Sequence, residues 1–254
     1  MTEARARFTD RVVIVTGAGN GLGLAYARGF ATEGASVVLA DIDGASAKEA
    51  AASIGSSGSP TLGVEVDVAD EDSVAAMVHA CTSAFGGVDV LVNNAGLHLG
   101  KYNECSSLPV ADWRRIFDVN VLGAVLCARE CRTSMAGRGG GVILNQASVA
   151  AWSNGAGAYG ATKLALTSVT MSLATEFAND GIRVIAIAPG AFMSEAVQAG
   201  LLPEQRDMVL AGQLTSELGG PDDLVPNVLF LCSEEARFAN AATYTFDAGF
   251  SKRI

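Results

Sequence analysis

Short runs of apolar, β-branched residues recur along the chain, and most are followed by a segment whose apolar positions repeat at helical spacing. The strand-like runs fall at residues 12–16, 36–40, 61–66, 88–92, 142–146, 183–188 and 243–246. Between them the pattern predicts helices over residues 21–33, 45–53, 70–85, 110–135, 158–179 and 222–232. Strands this apolar are buried on both faces, so the alternation predicts an α/β fold with a parallel sheet covered by helices on each side. Right-handed crossovers wind such a sheet into a Rossmann-like, doubly wound architecture of about seven strands. No linker, repeat or low-complexity tract divides the 254 residues, and SSGSP at 56–60 reads as a surface turn, so a single domain is expected.

Composition narrows the setting. Half the residues are hydrophobic, enough for a sizeable core, yet no apolar run reaches the roughly 18 residues of a membrane span. The N-terminal MTEARARFTD lacks an apolar stretch, and Glu3 and Asp10 interrupt its basic character, so neither a secretory signal nor a transit peptide is expected. The net charge of −10 argues against non-specific binding to nucleic acid or an anionic membrane surface. Cys81, Cys105, Cys127, Cys131 and Cys232 are scattered and odd in number, without metal-ligand spacing. They read as free, mostly buried thiols of a cytoplasmic protein, with no metal site.

The first strand runs directly into TGAGNGLG, residues 16–23, and then a helix. The GxGxxG spacing fails because Leu22 stands where its third glycine would be, but Gly17, Gly21 and Gly23 fit GxxxGxG. Such glycines permit a tight turn and close backbone approach, and a helix N-terminus offers free N–H groups to a pyrophosphate. The second strand ends at Asp41, where a carboxylate accepts hydrogen bonds from both ribose hydroxyls of an adenosine and repels a 2′-phosphate. Asp43 adds negative charge, and Asn20 leaves the loop without a cation to offset it. NAD is therefore the expected cofactor. Asp67 and Val68, closing the third strand, stand where an adenine edge would lie.

Together with NNAG at 93–96, Asn120 in VNVLG, Ser148, YGATK at 159–163 and Pro189-Gly190, these features resemble the short-chain dehydrogenase/reductase family over essentially the whole chain. The resemblance implies interconversion of a secondary alcohol and a ketone by hydride transfer. Tyr159 would be the general base or acid, although a free tyrosine near pKa 10 is a poor base. Lys163, one helical turn on, would stabilise its phenolate and hold the nicotinamide ribose. Ser148 would orient the substrate oxygen, and Asn120 would keep a helix irregularity and a proton path open. The implied cofactor contacts are Gly17, Asn20, Gly21, Leu22, Gly23, Asp41, Ile42, Asp67, Val68, Asn94, Ala95, Gly96, Tyr159, Lys163, Pro189, Gly190, Phe192 and Ser194. Asn93 and Asn94 sit at a strand end, where side-chain amides also satisfy loop backbone. Thr162 is expected only to pack.

Eleven positions separate Ser148 from Tyr159, a shorter interval than the resemblance leads one to expect, so one wall of the substrate pocket should differ. Pocket candidates are Leu97, His98, Leu99, Trp152, Asn154 and Ala191 to Met193. His98 could bond a substrate or be an ordinary loop residue. The mostly apolar set favours a hydrophobic alcohol or ketone. Residues 194–212 read as a small helical lid. The apolar excess of the two long helices predicts burial on more than one side, hence a homodimer or homotetramer. A 3-oxoacyl-thioester reductase and a non-catalytic dinucleotide sensor are the alternatives.

Overall fold

The computed structural model describes residues 6–98, 100–193 and 203–251. One of its inner strands is β1 (Val12–Thr16), a run of valine, isoleucine and threonine in which every residue is buried. Branched side chains suit the pleated, two-sided burial of such a strand. Around it lie β2 (Ser36–Asp41), β3 (Thr61–Glu65), β4 (Val90–Asn93), β5 (Gly141–Gln146), β6 (Ile182–Pro189) and β7 (Thr243–Phe246). The seven strands form one wholly parallel sheet in the order β3-β2-β1-β4-β5-β6-β7.

Alternate strand residues feed two cores. Val13, Val15, Val92 and Leu144 meet α1 (Gly21–Thr32), α2 (Gly44–Gly55) and the C-terminal helix Pro221–Cys232 on one face. Ile14, Leu91 and Ile143 meet α3 (Glu71–Phe85) and the later long helices on the other. Local sequence sets the helix ends: Asp43 caps α2 and Asp70 caps α3 through backbone N–H groups, and Gly86 closes α3 in the left-handed region. Winding reverses between β1 and β4, which opens a crevice at their carboxyl ends, where ligands bind in sheets of this kind.

The helix expected over residues 110–135 is divided. It comprises α4 (Val110–Phe117), a π-helical turn over Asp118–Leu122 and α5 (Gly123–Gly137). The expected helix over 158–179 is α6 (Gly157–Glu176) followed by a 3₁₀ turn, and α7 (Pro203–Gly212) falls within the expected lid. Leu99 and residues 194–202, including Ser194, lie outside the described residues. All five cysteines are free, and only Cys105 is exposed. No described helix is long and apolar enough to cross a membrane.

Candidate active site

At the carboxyl edge of β1, the glycine loop is clamped from β4. Thr16 Oγ1 accepts from Asn94 N and Ala95 N, each at 3.1 Å. Asn94 Nδ2 donates to the carbonyls of Thr16 and Gly17, each at 2.9 Å. The structure thus gives Asn94 a bracing part, one of the two roles its position suggested. Gly17 has φ +64°, and a Cβ on Gly23 would lie 2.1 Å from the Gly17 carbonyl oxygen, so only glycine permits this turn. The helix that follows has no side-chain cap, because exposed Asn20 makes no capping bond. Its first amides and dipole therefore face the crevice, and this cradle fits a dinucleotide's pyrophosphate.

Asp41 lies beside the loop. Its Oδ2 accepts from Gly19 N at 2.8 Å and its Oδ1 from Asp43 N at 3.1 Å. Each oxygen keeps a further lone pair for a hydroxyl. Asp43 is occupied by capping α2, which leaves Asp41 as the carboxylate of the crevice. Ile42 stands 64% exposed next to it. Asp67 accepts from Ala69 N, and the Val68 side chain is buried against Gly123, leaving only its backbone to meet a ligand. At the end of β6, Gly190 N bonds Phe246 O. Phe192, expected among the cofactor contacts, turns its ring onto Gly219 and the first core because that face is apolar. Met193 N bonds Gly219 O.

Ser148, Tyr159 and Lys163 converge beyond the crevice. Ser148 ends the loop after β5; its Oγ caps a short turn through Ala150 N at 3.2 Å and hydrogen-bonds Tyr159. Tyr159 and Lys163 are one turn apart on α6, with the ammonium 5.6 Å from the ring centroid. Lys163 is buried and donates to the Gln146 carbonyl at 2.7 Å. Burial brings its pKa down to about 8. Burial also raises the Tyr159 pKa, opposed by the Ser148 hydrogen bond. Enclosure of the ring sets that direction, while the Lys163 ammonium is drawn to the Gln146 carbonyl.

Asn120 lies in the π-turn, the irregularity expected there. Its Oδ1 accepts from Leu97 N at 2.7 Å, and its Nδ2 donates to Leu97 O at 3.0 Å and to Thr162 Oγ1 at 3.2 Å. Thr162 does more than pack, contrary to expectation: its buried hydroxyl passes the bond on to Tyr159 O at 2.7 Å. Thr162→Val would strand one Asn120 N–H, and an expected loss of about 1–3 kcal/mol is measurable by chemical denaturation. A cavity of about 10 Å³ beside Asn120, Asn93 and Thr16 is large enough for one water.

Sequence reasoning missed an apolar cluster in which Tyr102, Leu108 and Ile116 pack with Trp113, Phe117 and Tyr159 itself. The aromatic residues of the loop and helix after β4 were the available signal. Ala158 N bonds Glu104 O, so this loop lies against the start of α6. Trp152 packs on Ala147, Ala186 and Ala188, whereas Asn154 is exposed in the next turn. His98 has its pKa lowered by crowding and by the charge of Lys163, although it keeps an open edge to solvent.

The arrangement is that of an oxidoreductase with a dinucleotide crevice, and comparison with known proteins agrees. A family model described as Enoyl-(Acyl carrier protein) reductase matches residues 17–251. An uncharacterized oxidoreductase of Mycobacterium tuberculosis is 40% identical, over 95% of this chain and 98% of its own. The cis-4-hydroxycyclohexanecarboxylate dehydrogenase of Sinomonas cyclohexanicum is 36% identical, over 96% and 98%. A solved 7α-hydroxysteroid dehydrogenase, complexed with NADH and 7-oxo glycochenodeoxycholic acid, superposes with a TM-score of 0.91 at 32% identity, covering 98% of this chain and 97% of that one. The chain belongs to the short-chain dehydrogenase/reductase family.

Proposed function

We propose that the protein interconverts an apolar secondary alcohol and its ketone with NAD. The observation that carries this reading is the convergence of Ser148, Tyr159 and Lys163 beyond a glycine cradle flanked by Asp41. When bound, the nicotinamide supplies the hydride acceptor, or in reverse the donor. Tyr159 takes the hydroxyl proton during oxidation and returns it during reduction. Ser148 holds the substrate oxygen at the phenol. Lys163, positively charged below about pH 8, favours the phenolate and binds ribose hydroxyls. Asn120 and Thr162 brace the backbone behind that pair. Gly17, Asn20, Gly21, Leu22, Gly23, Ala95, Gly96, Pro189 and Gly190 offer backbone to the dinucleotide.

Asp41 supports NAD over NADP because a 2′-phosphate would meet a carboxylate that no cation neutralises among the described residues. Titration by cofactor fluorescence should give tighter binding of NADH than of NADPH. Asp41→Asn should narrow the gap by about tenfold or more, equivalent to about 1.4 kcal/mol; an unchanged ratio overturns the assignment. The apolar cluster around Tyr159 and the separate one on which Trp152 packs support a hydrophobic substrate. Half-exposed Leu164 and Met171 on α6 and Leu122 in the π-turn support pairing with a second copy.

The decisive assay is a panel of cyclic and linear secondary alcohols with NAD, run beside acetoacetyl thioester with NADPH. Turnover of the alcohols supports the reading, and turnover of the thioester alone replaces it with a 3-oxoacyl reductase.

A further inference from the structure

The Lys163 ammonium has one hydrogen-bond acceptor among the described residues, the carbonyl of Gln146. That carbonyl is available because of where β5 ends. Up to Asn145 the strand pairs with β4 on one side and β6 on the other, whereas Gln146 pairs only with Ile187 of β6. The next amide, Ala147 N, bonds Ile187 O at 2.8 Å. In a trans peptide the N–H and C=O point oppositely, so the Gln146 carbonyl aims where β4 has already stopped. No strand fixes the peptide from that side.

A side chain does. Gln146 projects to the same face as Val142 and Leu144, away from α6, and its Oε1 accepts a 2.7 Å hydrogen bond from the Tyr26 hydroxyl. Tyr26 is fully buried on α1, within one turn of the end of the glycine loop. Phenylalanine would fill the same volume. Burying a hydroxyl costs about what its single bond returns, so this group adds little net stability. Its geometric effect, by contrast, falls on the peptide whose carbonyl holds Lys163.

We propose that Tyr26 and Gln146 are positioning residues for Lys163: their hydroxyl–amide bond fixes the last peptide of β5 and ties the helix behind the phosphate loop to the Lys163 ammonium. The proposal rests on Lys163 being the partner of Tyr159. The titratable groups facing that ammonium are Tyr159 on its own helix and His98 from the loop after β4, and no carboxylate pairs with it among the described residues. The Gln146 carbonyl is therefore the contact whose loss should register.

The chain has four lysines, Lys48, Lys101, Lys163 and Lys252, so isotope-labelled lysine side chains resolve individually by NMR, with Lys163→Arg supplying the assignment. In the cofactor-free protein Lys163 should titrate near about 8. Tyr26→Phe and Gln146→Leu should each lower that midpoint by about half a pH unit, because a carbonyl acceptor favours the charged form. The double variant should shift no further than Gln146→Leu, since both act through one bond. Turnover of the best panel alcohol should fall about tenfold with KM nearly unchanged. Unmoved midpoints, or shifts that add in the double variant, overturn the proposal. Should Tyr26→Phe fail to fold, an unshifted Gln146→Leu overturns it alone. Full turnover in Tyr159→Phe would instead defeat the underlying reading, and the titration would still decide whether Tyr26 and Gln146 govern Lys163.

Discussion

Tyr159→Phe is expected to lower kcat/KM for a secondary alcohol by about 10³-fold, within the range for removing a general acid–base group. The ring's packing against Ala158 and the aromatic cluster survives the substitution, so the fold should stand. What is lost is the oxygen that meets Ser148 and exchanges a proton with substrate. NADH affinity, read by fluorescence, should change only a few-fold, because the glycine cradle and Asp41 are untouched. The combination separates chemistry from binding. Retention of more than about a tenth of the activity would remove Tyr159 from the reaction.

The second large effect is expected at Gly23. An added Cβ would stand 2.1 Å from Gly17 O and 2.5 Å from Asn94 Nδ2, closer than carbon approaches either atom. Neither neighbour can yield cheaply. The carbonyl belongs to a backbone turn at φ +64°, and the amide spans the Thr16 and Gly17 carbonyls. In Gly23→Ala the loop must move, and a displacement near 1 Å in a positioning element costs about 10²-fold. The loss should fall on NADH affinity, while circular dichroism stays native. Unchanged affinity would show that the dinucleotide does not lie on this loop.

The sheet was legible in the sequence because its strands are continuous apolar runs with one way to be buried, as VVIVT at β1 illustrates. The glycine loop and the Tyr159–Lys163 pair were legible because their chemistry depends on local spacing along one turn or one helix. The division of the helix after residue 117 was not. A π-turn of five residues changes the apolar period too briefly for periodicity to register. Thr162 reads as a packing residue until Asn120, 42 positions away, is seen to bond it. Tyr26 and Gln146 are 120 residues apart, and each alone looks like an ordinary core or strand-end side chain. The packing of the Phe192 ring on Gly219 and the first core is likewise set by residues distant in sequence.

The π-turn over Asp118–Leu122 acts as a change of phase in one continuous rod. Each residue of a regular helix advances about 100°, so one extra residue turns everything downstream by that angle relative to everything upstream. Before the turn, Ile116 and Trp113 face the cluster around Tyr159; after it, Leu126, Cys127 and Cys131 face the sheet with Met77 and Cys81 of α3. A single rod thereby serves two cores. Removing one residue from this turn would restore perfect helical pitch and put one of the two cores out of register.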